Sequence, residues 1–147
     1  MLKGFLGLFT AKDLFEKLKS DYEEFCAKPK DSYKAFNFFV TAEHIPDWIE
    51  NVGIKYKEPI LRVCSHLATG AKHFEVKNKD KKSVEGFSVD VYVEDGYVED
   101  GYVETVLVVN LTAEEAETIG AESIELNELA KNVFEYWEKY FEENIVT

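Results

Sequence analysis

The spacing of apolar residues changes period twice along this chain, and that switch limits the fold more than any other feature. From Ala11 to about Thr69 apolar side chains recur every three to four residues. Between Phe74 and Leu111 they recur every second residue, and from Leu126 onward the helical spacing returns. Helices, then strands, then helices argue for an α+β fold rather than alternating βαβ units. The chain has 147 residues, 46% of them hydrophobic. That is the size of one ordinary domain, with apolar material enough for a full core instead of disorder.

Local signals place the elements. "AKDLFEKLKSDYEEFCA" (residues 11–27) sets Leu14, Phe15, Leu18, Tyr22 and Phe25 on one helix face, and Lys28-Pro29 ends that helix. Asp31-Ser32 caps a second helix reaching about Trp48, with Ala35, Phe36, Phe39, Val40 and Ile45 inward. Pro46 should kink or stop it. A third helix is expected from about Glu58 to Thr69, with Pro59 in its first turn and Gly70 as its C-terminal cap. "HFEVKN", "GFSVDVYVE" and "YVETVLVVNL" then read as three strands of an antiparallel meander, the last more continuously apolar and so better covered. Thr112 and Glu115 form a capping box for a short helix ending at Gly120. The final helix, Leu126 to Glu143, carries a broad apolar stripe that includes Trp137 and Phe141. "AESIEL" fits helix, strand or link equally. The expected architecture is thus one domain, residues 1–147. Residues 1–70 are helical, 71–111 a three-stranded meander with a hairpin tip near 94–101, and 112–147 helical again. The first three helices and the last one form a bundle beside the sheet.

Charge divides the chain unevenly. Residues 1–82 hold 15 Lys and Arg against 12 Asp and Glu, a balance of +3; residues 83–147 hold 2 against 17, a balance of -15. A half so acidic repels phosphate backbones, so general nucleic-acid binding is not expected, although a local site near Lys34, Arg62, Lys72 and Lys77 stays open. A basic protein is the partner that such a field selects. The acidic pentad repeat "YVEDGYVEDGYVE" contains two Asp-Gly turn signals. Five is an odd number, so each copy inverts the strand register, and an elongated hairpin tip accommodates the repeat best. Its carboxylates lack the tight spacing of a calcium loop; docking of a basic partner and a plain solvated turn remain. Cys26 and Cys64 are too few for a disulfide framework and read as reduced thiols in a cytoplasmic protein. No apolar run reaches the roughly 20 residues of a membrane span. The apolar opening "MLKGFLGLFTAKDLF" lacks the h-region and cleavage site of a signal peptide.

All three histidines fall in two aromatic-rich stretches, "NFFVTAEHIPDWI" and "SHLATGAKHF". Antiparallel second and third helices would bring His44, Asp47 and His66 to a common mouth, with His73 beside Lys72 at the same end. Three chemistries are open. Imidazoles with a carboxylate can hold zinc or iron, though the spacings are generic and neither a metal nor a cofactor is the expectation. A histidine can move the proton in metal-free RNA cleavage while Arg62 or Lys72 stabilises the phosphorane. A buried histidine can simply fix helix packing. Trp48 and Trp137 read as core, and Glu114-Glu115 as solvated charge at a helix start.

"AFNFFVTAEHIPDWI" followed by "ILRVCSHLATGAKHF" resembles a group of small uncharacterised bacterial and phage proteins with an NFFVTAxH-x-x-DW helix and a G-x-KH segment. The similarity covers about residues 31–74. More distantly the chain resembles HEPN-type nucleases, whose signature is an Arg, a polar residue and a His after four to six positions. Here Arg62 and His66 are separated by three. That resemblance implies a metal-independent ribonuclease or small hydrolase centred on Arg62, His66 and His73 and completed across a homodimer. Taken with the charge layout, the expected function is a non-catalytic interaction or regulatory module whose acidic C-terminal half docks a basic partner. The nuclease is the alternative, and His44, Asp47 and Lys72 are candidate binding residues.

Overall fold

Helix α1 (Ala11–Ala27) begins where a reciprocal cap satisfies its first amides. The Thr10 hydroxyl accepts from the Asp13 N–H at 3.0 Å, and the Asp13 carboxylate accepts from Thr10 at 3.1 Å and Phe9 at 2.8 Å. The Phe9 amide is the main reason that Asp13 is held below the ordinary carboxylate range. The computed structural model describes residues 4–73, 84–92, 104–111 and 113–144. Helix α2 (Ser32–Trp48) opens on Asp31, whose side chain accepts from the Tyr33 and Lys34 amides. The start and end of both helices agree with the local sequence signals.

Pro46 lies inside α2, and the helix stops two residues beyond it. The stop is a Schellman turn: Asn51 N–H bonds the Pro46 carbonyl at 2.9 Å, Glu50 N–H bonds Asp47 at 3.2 Å, and Glu50 takes φ 58°. A non-glycine residue in that left-handed region carries roughly 1–2 kcal/mol of strain. Glu50→Gly is therefore expected to stabilise the fold by about 0.5–1 kcal/mol, once the extra freedom that glycine gives the unfolded chain is deducted. The urea midpoint should rise; a fall would mean that the Glu50 side chain contributes more than its backbone costs.

A single turn, α3 (Ile54–Lys57), leads into α4 (Pro59–His73). Pro59 occupies the first position as expected. Gly70 does not cap α4, which continues through it to His73. The helix packs on α2, α3, α5, α6 and β1, and such surrounding contacts override the roughly 1 kcal/mol propensity penalty of an internal glycine.

The sheet is α+β in kind but is not the expected meander. His73 belongs to α4, and the rest of "HFEVKN" lies outside the described residues. Strands β1 (Val84–Tyr92) and β2 (Glu104–Leu111) pair antiparallel from Val84↔Leu111 to Tyr92↔Glu104; the repeat between them, with its expected tip, also lies outside the described residues. After α5 (Ala113–Ile119), "AESIEL" supplies β3 (Ser123–Glu125), which pairs on the other edge of β2. The sheet is thus an antiparallel pair of strands edged by three residues. β2 lies between its two neighbours, as its apolar sequence requires. Helix α5 ends at Gly120, whose φ of +89° only glycine adopts freely. Thr112, the expected cap at its start, is outside the described residues.

Helix α6 (Leu126–Glu143) closes the core. Phe15 of α1 stacks on Phe134 and Phe141 of α6 at 5.8 and 4.9 Å between ring centroids, and Trp137 is fully buried beside them. One hydrophobic cluster joins α1, α2, α4, α6 and the β2 residues Val109 and Leu111. In α2 Ala35, Phe39 and Ile45 are buried as expected, but Phe38 is buried in the place expected of Phe36, Phe36 is exposed and Val40 is half-buried. "AFNFFV" places aromatic residues on both sides of the helix, so only the neighbours α1 and α4 decide which side is covered. Among the described residues no helix is long and apolar enough to cross a membrane.

Candidate functional site

The polar chemistry of the described residues gathers around α4. This helix is buried on most of its circumference, yet one arc carries Arg62, Ser65, His66 and Thr69. Buried polar groups must find partners, and the neighbouring helices supply them. Ser65 Oγ donates to Glu43 Oε1 of α2 at 3.2 Å, and Lys55 Nζ of α3 donates to the same oxygen at 3.0 Å. Glu43 thereby ties three helices together. Burial alone would lower the Lys55 pKa, but the hydrogen bond and charge of Glu43, helped by Tyr56 and Asp47, raise it on balance.

At the first turns of α4, Arg62 Nε lies 3.0 Å from Glu115 Oε1 of α5, with the two side chains 26% and 4% exposed. Among the described residues Arg62 Nε makes no well-directed hydrogen bond, so this is a charge contact of poor geometry. Burial raises the Glu115 pKa, and the opposing pull of Arg62 does not cancel it. Glu115 is therefore not the solvated helix-start charge that its sequence position implied. A third cluster joins α1 to α2: Lys17 Nζ reaches Asp21 at 2.6 Å and Thr41 Oγ1 at 2.9 Å, and the Thr41 hydroxyl lies 2.7 Å from Asp21.

The three histidines are distributed differently from the expected common mouth. His44 and Asp47 are exposed on α2, whereas His66 is 2% exposed and is enclosed by packing. Outward and inward positions on packed helices cannot line one open cleft. His73 is brought into line with Arg62 and His66 in another way: α4 continues past Gly70, so residues 62, 66, 69 and 73 recur on one helix face. The side chains of Lys72 and His73 are not among those described. Among the described residues no three His, Cys, Asp or Glu side chains are grouped as a metal ion needs.

The thiols are unpaired, Cys26 exposed and Cys64 buried. Burial and the nearby Glu43 carboxylate push the Cys64 thiol up, which keeps it protonated and unreactive.

Glu43, Lys55 and Glu115 were missed by sequence reasoning. Glu43 had a signal, a lone carboxylate within the apolar run "FFVTAEHI". Lys55 had none, because its partner lies on another helix. Chemically, the arrangement fixes helices to one another: its serine is sealed from solvent, and its cations face carboxylates. No family model matches this chain, and no curated protein or solved structure matches it either.

Proposed function

We propose that this chain is a non-catalytic intracellular interaction module whose acidic C-terminal half docks a basic partner. The observation that supports the reading is the predominantly acidic exposed surface of α5 and α6. Glu128, Glu135, Glu138 and Glu142 are exposed along α6, and Glu114 and Glu117 along α5; Lys131 and Lys139 are the only cations between Ala113 and Asn144. Glu43, Lys55 and Ser65, in contrast, are engaged with one another. An exposed field of one sign steers an oppositely charged partner and selects against the wrong one.

The test is titration of a lysine-rich peptide into the protein at low and high salt. Replacing Glu128, Glu135, Glu138 and Glu142 by Gln should weaken binding by roughly tenfold, about 1.4 kcal/mol, and flatten its salt dependence. Replacing the exposed Glu16, Glu23 and Glu24 of α1 should leave binding nearly unchanged. Equal losses from both sets would reduce the effect to net charge and end the docking reading.

A ribonuclease centred on Arg62, His66 and His73, as the HEPN resemblance implies, is the second reading. What favours it is the shared helix face of these positions. Cleavage of short RNA by the parent protein that disappears in His66→Ala, with the fold intact by circular dichroism, would put it in first place.

A further inference from the structure

We infer that the outward face of α2 is a self-complementary interface, covered by α2 of a second copy running antiparallel about Val40. Two exposed aromatic side chains stand on this face, Tyr33 at 83% and Phe36 at 48%. Asn37, His44 and Asp47 are exposed beside them and Val40 is half-buried. Residues 33, 37, 40, 44 and 47 advance by four and three, the seam spacing with which two helices lie side by side over several turns.

Charge decides the orientation. Lys28 and Lys30 are exposed in the turn just before α2, and Asp47 and Glu50 are exposed in its last turn and just beyond it. A parallel copy would oppose like charges; an antiparallel copy opposes unlike ones. Inversion about Val40 sets Val40 against its equivalent, Phe36 against His44, Tyr33 against Asp47 and Lys30 against Glu50. Each contact then occurs twice, as an isologous two-fold interface requires. The phenol O–H of Tyr33 meets a carboxylate that can accept a hydrogen bond from it, and Val52 and Tyr56, 44% and 52% exposed, follow α2 at that end. Phe36 and His44 form an aromatic pair between copies, which gives the surface histidine in this apolar stretch a role that the interior of one copy does not. A polyanion fits the face less well, because half of it is acidic. A contact confined to one helix per copy belongs at the low end of specific interfaces, below roughly 1,200 Å², so the dimer is concentration-dependent. It leaves the exposed sides of α5 and α6 free, and the acidic docking surface stands or falls separately.

Sedimentation equilibrium should show the 16.9 kDa chain passing from monomer to dimer as concentration rises. Val40→Glu, which sets two carboxylates face to face, should leave it monomeric. Helix axes roughly 8–10 Å apart bring facing Cα atoms close to the roughly 4.4–6.8 Å that a disulfide spans. In a Cys26→Ser background, Val40→Cys should therefore form a disulfide-linked dimer on mild oxidation, and Lys19→Cys on the exposed side of α1 should not. Lys30→Glu and Glu50→Lys should each weaken the dimer, and the two together should restore it. A parent protein that stays monomeric at every concentration overturns the inference. So does a dimer indifferent to Val40→Glu, or cross-linking that is as strong through Lys19→Cys as through Val40→Cys.

Discussion

Phe38→Ala is expected to lower the stability of the fold by about 3–5 kcal/mol, the range for deleting a buried phenyl group, while Phe36→Ala changes it by no more than about 0.5 kcal/mol in dilute solution. The two residues are neighbours in an aromatic run, and nothing in their side chains distinguishes them. Their surroundings do. Phe38 has no exposed surface and lies 5.0 Å from Phe39, 5.7 Å from Tyr22 and 6.5 Å from Phe25, centroid to centroid. Removing it leaves a cavity between α1 and α2 that these stiff rings cannot collapse into. Phe36 faces outward, and its loss uncovers little. For a chain of this size each kcal/mol moves the melting temperature by roughly 2–4 °C, so thermal scans of both variants separate the two cases. Equal melting temperatures would mean that α2 is rotated from the phase described above.

That contrast marks where the sequence stops being legible. Helix limits were legible because their causes are local: Lys28-Pro29 after α1, Asp31 before α2, Pro59 at the start of α4. The long stripe of α6 was legible because eight apolar positions agree on one face. The phase of α2 was legible only in part: Ala35, Phe39 and Ile45 face inward as their spacing implies, but "AFNFFV" offers two faces for its aromatic residues and the choice between Phe36 and Phe38 belongs to the neighbours. Gly70 has the local chemistry of a helix end, and the packing of α4 on several elements outweighs it. Three residues are too short to show a period, so β3 exists through its pairing with Val108–Asn110. The candidate site was the least legible part. Glu43 meets Lys55 and Ser65 from positions 12 and 22 residues away, and no spacing rule connects them. The histidines were conspicuous by rarity, but rarity does not say which way a helix turns, and His44 and His66 turned out to face opposite environments.

The two ion pairs anchored near α4 should respond in opposite senses when each is broken. Lys55→Met is expected to cost about 2–4 kcal/mol, because it strands the Glu43 carboxylate in a largely enclosed site where, among the described residues, the Ser65 hydroxyl is its remaining hydrogen-bond partner. Lys55 is held above the ordinary lysine value of 10.5. Its contribution is therefore fully present below that value and is lost as pH rises through the raised one. Glu115 behaves otherwise. Its pKa is raised above the ordinary carboxylate value of 4.5 because burial outweighs Arg62. Between those two values the folded state holds more protons than the unfolded one, so this group's contribution falls as pH rises through the window. Glu115→Gln keeps the shape without the charge, and the Arg62 side chain remains 26% exposed although its Nε is buried. The variant should thus be as stable as the parent at neutral pH, or more stable by up to about 1 kcal/mol. The difference should vanish on acidification below the ordinary carboxylate range. Urea titrations of both variants at neutral and acidic pH give the comparison directly. If Glu115→Gln loses as much as Lys55→Met at neutral pH, the Arg62 contact is a strong pair after all, and the buried carboxylate of α5 helps to hold the helical layer together instead of straining it.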